Sequence, residues 1–312
     1  MQKMRRAGLY SFAAAVLLSG FLAARVSAAE TSIFRFLKSP ASPRHVSLGE
    51  VNSFFNPEPL GIIQNPSLAF LSKRREAAFS GASRLDGSAA TFAAAGVLRD
   101  SNSGSAAGFA LNTLTTSQRR TLAPASAGSY LYADDGDFAT YSGSFGGFYA
   151  GHIQDTTYFG VSSKLIVEKL YSESYYGVAA DVALMEIIDA RSMFFLGARN
   201  VGAAFSGGYL LPSSAYISIL AKTSRVAFAV EGEYDLQGFG EAKLGLEVPV
   251  VDSFDVRAGY RHSFREYDTG DYLLSGISAG FGLRLNGFDF DYAWQPRSEL
   301  GSTHLASVRM KL

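Results

Sequence analysis

The stretch FDFDYAWQ, Phe288 to Gln295, decides the fold. Phe288, Phe290, Tyr292 and Trp294 share one face, and Asp289, Asp291, Ala293 and Gln295 share the other. A period of two is the signature of a β-strand, whose successive side chains point to opposite sides. The alternation returns upstream. In FDVRAGYRH (Phe254 to His262), Phe254, Val256, Ala258 and Tyr260 oppose Asp255, Arg257, Gly259 and Arg261. In VAFAVEGEY (Val226 to Tyr234), Phe228 and Val230 oppose Ala229, Glu231 and Glu233. In EAKLGLEV (Glu241 to Val248), Leu244 and Leu246 oppose Glu241, Lys243 and Glu247. A soluble β-sandwich with one wet face uses this pattern too. In a membrane barrel the apolar face points outward instead.

Three features favour the barrel. Several strands, such as Tyr272 to Leu285, exceed the ~5–6 residues usual in soluble sheets and reach the ~9–11 that cross a bilayer. Aromatic residues sit near strand ends, among them Tyr234, Tyr260, Tyr272 and Trp294, where interfacial girdles belong. The strand count is even. Strands are expected near 76–84, 90–99, 103–115, 139–152, 156–170, 175–187, 193–205, 215–223, 225–235, 240–248, 253–264, 272–285, 287–296 and 302–312. About fourteen antiparallel strands place both barrel ends on one side, the periplasm in bacterial barrels. Alternate connections are short, including the turn-forming Asn286-Gly287 pair, and the others are longer, led by Thr116 to Phe138. The last strand alternates through His304, Ala306, Val308, Met310 and Leu312.

The N-terminus gives the address. Lys3, Arg5 and Arg6 precede an apolar run from Ala7 to Ala24, and small residues follow at Val26 to Ala28. This is the plan of a secretory signal peptide over 1–28, with cleavage after Ala28 or Ala29. The other reading is a membrane anchor. Cleavage removes four of the 28 basic residues and none of the 28 acidic ones, leaving an acidic mature chain. No basic tract points to nucleic acid. With no cysteine, disulfides and thiolate metal sites are excluded. The four histidines, His45, His152, His262 and His304, show no ligand spacing. His262 and Ser263 are neighbours on opposite strand faces, so no catalytic triad assembles, and neither catalysis, metal nor cofactor is expected.

Between signal and strands lies EPLGIIQNPSLA, Glu58 to Ala69, which reads as neither strand nor amphipathic helix. Asn65 is placed to cap a short PSLAFL turn, with Pro66 at its first position. A wall of fourteen strands is too wide for its own side chains to fill. Residues 29–75 are therefore expected to plug it, and 76–312 to form the barrel. PRHVSLGEV (Pro43 to Val51) and EPLGIIQNPSLA resemble the paired N-terminal hatch motifs of FadL-like outer-membrane proteins, including the PorV/PorQ branch. On that resemblance Arg44, Leu48, Gly49, Pro59, Asn65 and Pro66 are hatch-motif positions. Glu50, Ser67 and Leu68 depart from it, standing where the family has Gly, Ala and Gly. The C-terminal strands VRAGYRH, GISAGFGLRL and FDFDYAW also resemble the branch.

The inner face of the last six strands carries Glu231, Glu233, Glu241, Lys243, Glu247, Asp255, Arg257, Arg261, Arg284, Asp289, Asp291, Arg309 and Lys311. Mixed signs suit a salt-bridged wall bracing barrel and plug, or else a polar solute pathway. The early strands AAFSGAS and ATFAAAGV have small inner residues instead. The resemblance implies a bacterial outer-membrane protein that takes up hydrophobic small molecules such as fatty acids, or a PorV-like adaptor that hands over secreted proteins. Its expected partners are outer-membrane lipid, the barrel-assembly machinery and a hydrophobic ligand, or secretion-system proteins in the second case.

Overall fold

The computed structural model describes residues 32–73, 75–100, 103–122, 133–205, 207–236, 238–264, 276–297 and 301–312. The signal-peptide reading of 1–28 lies outside them. Fourteen antiparallel strands form a closed barrel, each paired to its sequence neighbours, with β1 and β14 closing the ring. They are β1 Arg75–Arg84, β2 Ala89–Asp100, β3 Ser105–Leu122, β4 Ala133–Gln154, β5 Thr157–Leu170, β6 Glu173–Asp189 and β7 Ser192–Ala204. The second half holds β8 Ser214–Lys222, β9 Ala227–Asp235, β10 Phe239–Val251, β11 Phe254–Ser263, β12 Ile277–Leu285, β13 Phe288–Pro296 and β14 Ser302–Lys311. Closure leaves no strand edge unpaired, which a sheet in hydrocarbon requires.

Alternation decides which side of each strand faces in. Phe288, Phe290 and Trp294 are exposed on the outer surface, while Asp289, Asp291 and Gln295 are buried inside. Val256 points out and Arg257, one residue on, is buried. The outer surface is a belt of exposed Leu, Val, Ile and Phe side chains, the surface a bilayer solvates.

The hairpins follow their residues. Asn286 and Gly287 both adopt positive φ (32° and 92°), as the tight turn between β12 and β13 demands. The long connection expected over 116–138 is mostly strand. β3 and β4 continue past it, with Arg119 set opposite Asp137 and a register shift before the Thr121–Asp134 pair. Only 123–132 remains between them, outside the described residues. The Thr-rich sequence favours this extension. The strand expected over 272–285 starts at Ile277 among the described residues.

Residues 32–73 lie within the wall. Ile33 donates its N–H to the Leu210 carbonyl (3.2 Å), in the connection between β7 and β8. Farther on, Arg309 of β14, near the opposite end, donates to the Pro57 carbonyl (3.0 Å). The chain thus threads the length of the barrel before β1 begins. The protein's apolar core forms between this thread and the wall. Phe34, Phe36 and Leu37 cluster with Ile166, Ala179 and Leu211. Deeper, Leu48, Val51, Phe54, Ile62 and Leu68 join Val97, Phe148, Met185 and Phe195.

Candidate functional site: the threaded segment and its two walls

The first half of the thread is held by charge and by glycine. A short helix, Pro43–Ser47, starts with Pro43 at its first position and Ser42 as its cap, whose Oγ accepts from the His45 N–H at 3.2 Å. The helix aims Arg44 at the wall. Its Nε and Nη2 donate to Glu247 Oε2 (3.1 and 2.7 Å), and Nη1 donates to the Asn56 carbonyl (2.5 Å). At Gly49 the chain turns with φ 71° and lies directly on the backbone of β10 and β11. A Cβ there would sit 2.5 Å from the Leu244 carbonyl, so only glycine fits. Leu48 packs beside it, its carbonyl 2.8 Å from where a Cβ on Gly245 would stand. The Gly49 N–H donates to Ser278 Oγ at 3.1 Å.

Glu50, one of the departures from the family pattern, also has positive φ (63°). A non-glycine residue there carries strain of roughly 1–3 kcal/mol. The strain is offset by the side chain, which accepts from Arg261 Nη1 (2.7 Å), Gln295 Nε2 (3.0 Å) and Arg297 Nη2 (3.1 Å). Asn52 completes the anchor, giving its N–H and Nδ2 to Glu231 at 2.8 and 2.6 Å.

The second half is held differently. A single turn of helix, Pro59–Ile62, leads to the 3₁₀ turn Pro66–Leu71. Asn65 caps that turn, its Oδ1 accepting from the Ser67 N–H at 3.2 Å while its Nδ2 donates to the Asn52 carbonyl at 2.9 Å. Leu60 and Ile63 lie against Ala78 of β1 and Ala93 and Ala95 of β2. Leu68 and Ala69 belong to the cluster holding Val97, Ala106, Phe148 and Ala150 of β2 to β4. Phe70 stacks on Tyr158 with ring centroids 3.8 Å apart. Among the described residues, no hydrogen bond or ion pair joins residues 59–71 to the wall; their hydrogen bonds stay within the thread, and the one charged contact from the wall is the Arg99 guanidinium over the Phe70 ring (4.5 Å).

The acidic and basic residues expected on the inner face divide into linked groups. Glu231 and Glu233 share Lys243 and Arg199, with Arg199 Nη2 3.3 Å from each carboxylate. Glu241 is half-buried and more distant, 3.7 Å from Lys243. Arg257 joins Glu247 (2.8 Å), Asp291 (2.6 Å) and Asp255, which also pairs with Arg284. Asp289 pairs with Arg309 and, at 2.7 Å, with Lys311. Arg261 goes to Glu50 of the thread. These groups pair with one another in buried ion pairs on the inner face. A cavity of about 30 Å³ remains among His45, Glu50, Gln64, Arg199, Lys243 and Arg261, enough for water only.

Sequence reasoning missed Arg199 and the Lys164–Asp181 pair (2.8 Å). Arg199 sits beside a register shift that buries Asn200 as well, and a strict period of two sends adjacent residues to opposite faces. Lys164 had a signal, since Ser162, Lys164, Ile166 and Glu168 alternate.

The fold and the thread define a transmembrane barrel with an inserted N-terminal segment. No known family profile matches the chain, and no curated protein matches it. Solved structures do. The CymD monoaromatic hydrocarbon channel is similar with a TM-score of 0.60 and 10% identity, over 89% of this chain and 98% of that one. The P. putida toluene transporter TodX gives 0.60 and 8%, over 90% and 97%. A Pseudomonas aeruginosa FadL homologue gives 0.56 and 9%, over 86% and 97%. The barrel therefore has the FadL-type architecture. At these identities the likeness is one of fold.

Proposed function

We propose that this chain is a bacterial outer-membrane channel for passive uptake of small hydrophobic molecules, with residues 29–75 as its plug once the signal peptide 1–28 is removed. One observation carries the reading: residues 59–71 meet β1 to β4 across a seam of alanine, leucine and isoleucine, with no hydrogen bond or ion pair to the wall among the described residues and a single cation–π contact, Arg99 over Phe70. An apolar solute slipping into such a seam replaces one apolar contact by another and breaks no hydrogen bond. On the opposite side the same solute would have to part buried ion pairs, at several kcal/mol each. The plug thus opens on its seam side while Arg44, Gly49 and Glu50 hold it to β10–β13. Pro59, Asn65 and Pro66 shape the part that moves. The FadL-type neighbours named as hydrocarbon channels support this class of solute. Long-chain fatty acids and monoaromatic hydrocarbons are both candidates.

Two measurements test it. A deletion of residues 34–70 that still folds, judged by a heat-dependent shift on a gel, conducts ions in planar bilayers far better than wild type. A strain lacking the protein takes up labelled palmitate or toluene more slowly than its parent. Equal conductance removes the plug. Normal uptake of both solutes with a protein-secretion defect replaces the channel by the adaptor.

A further inference from the structure

The lipid-facing surface carries a pocket that the channel reading does not use. Four outward residues form one cross-strand row, Thr113 of β3, Gly143 of β4, Val167 of β5 and Tyr176 of β6. Gly143 leaves a gap in it. The row beneath, Leu111, Phe145 and Leu165, supplies a bulky lower lip, and Phe205 stands beside Tyr176. The result is a cavity of about 450 Å³ with an almost wholly apolar lining, within the ~300–1,000 Å³ range of small-molecule sites.

Its depth follows from the strands. On β5 the outward residues run from Phe159 to Val167, about the ~9–11 strand residues that span the hydrocarbon layer. The next row outward is Thr115, Tyr141, Lys169 and Ser174, polar and aromatic as an interface is. That row lies on the loop side, away from the barrel termini, so the pocket sits just inside the outer boundary. Lys169 is exposed and has no ion-pair partner among the described residues. An unpaired cation immediately above an apolar notch matches one kind of molecule, with a phosphate at the interface and a hydrocarbon chain below.

We propose that this notch is a specific site for an anionic, phosphate-bearing membrane lipid, one acyl chain lying in the gap at Gly143 and the headgroup held by Lys169. Behind the wall, the ring of Phe34 lies only 2.8 Å from where a Cβ on Gly177 would stand, and Gly177 lines the same pocket. A chain in the notch therefore buttresses from outside the strand against which the thread's first aromatic residue packs.

Gly143→Leu is a suitable probe. A Cβ there meets Val167 Cγ1 at an ordinary 3.7 Å, so the added side chain fills the notch without disturbing the strands. The full-length mature protein, delipidated in mild detergent, is titrated with dipalmitoylphosphatidylglycerol and followed by native mass spectrometry. Wild type retains one lipid at activation energies that strip the rest, and Gly143→Leu retains none. Lys169→Gln binds ~5-fold more weakly, as loss of one basic residue near an anionic surface predicts. Dipalmitoylglycerol, which lacks the phosphate, binds wild type and Lys169→Gln alike. Retention by Gly143→Leu equal to wild type, or preference for free palmitate over the phospholipid, overturns the proposal. Neither readout depends on transport.

Discussion

The two sides of the barrel interior treat the same thread in opposite ways. Toward β9–β14 the wall is charged, and the thread is tied to it by specific pairs: Arg44 to Glu247, Glu50 to Arg261 and Arg297, Asn52 to Glu231. Toward β1–β4 residues 59–71 lie against Ala78, Ala93, Ala95, Ala106 and Ala150 in apolar contact, and the hydrogen bonds to that side fall on either flank, from Ser80 to the Ala41 carbonyl, Arg84 to Pro40 and Arg99 to Ser72. Buried ion pairs are costly to separate because each partner is left uncompensated. Apolar contact carries no such directionality, and another apolar surface substitutes for it readily. Residues 44–52 of the thread are therefore an anchor and residues 59–71 a sliding surface.

The comparison breaks or sharpens in order of size. Arg257→Ala removes the cation shared by Glu247, Asp255 and Asp291, and a loss of about 3–5 kcal/mol is expected in urea unfolding from lipid vesicles. A loss under about 1 kcal/mol, the size of an exposed surface pair, makes the charged wall incidental. Val256→Arg changes the neighbouring residue on the other side of the same strand. It costs about 2–4 kcal/mol if the site lies at the bilayer midplane, and that cost vanishes for a soluble barrel. Asn65→Ala removes the cap of the Pro66–Leu71 turn, for about 0.5–2 kcal/mol of local stability. The barrel still assembles, and bilayer leak rises. Failure of assembly in this variant places the thread among the wall's structural supports.

The wall was legible because its rule is short-ranged. Period two, an Asn-Gly turn and the bulk of Phe288, Phe290 and Trp294 are local facts, and the fourteen strands follow from them. The cap at Asn65 was legible for the same reason. Partner choice was not. Glu231 was readable as inward-facing, but its tie to Asn52 spans 179 residues, and Arg199 reaches it from β7 across a bulge. Glu50 read as a departure from a glycine pattern. Only the structure shows that its backbone keeps the left-handed turn and its carboxylate recruits two arginines. The lipid-facing notch was invisible too, since Gly143 becomes a gap only once Thr113, Val167 and Tyr176 are brought into one row.

The most direct test of the anchor and the sliding surface is amide hydrogen exchange on the intact barrel in lipid nanodiscs, resolved within the thread. Local opening sets the rate at which buried amides exchange. Amides of residues 60–72 should exchange at least ~10-fold faster than the buried amides of residues 44–53, and a saturating apolar solute such as toluene should change only the former. Equal protection across the two halves, or faster exchange at 44–53, contradicts the account.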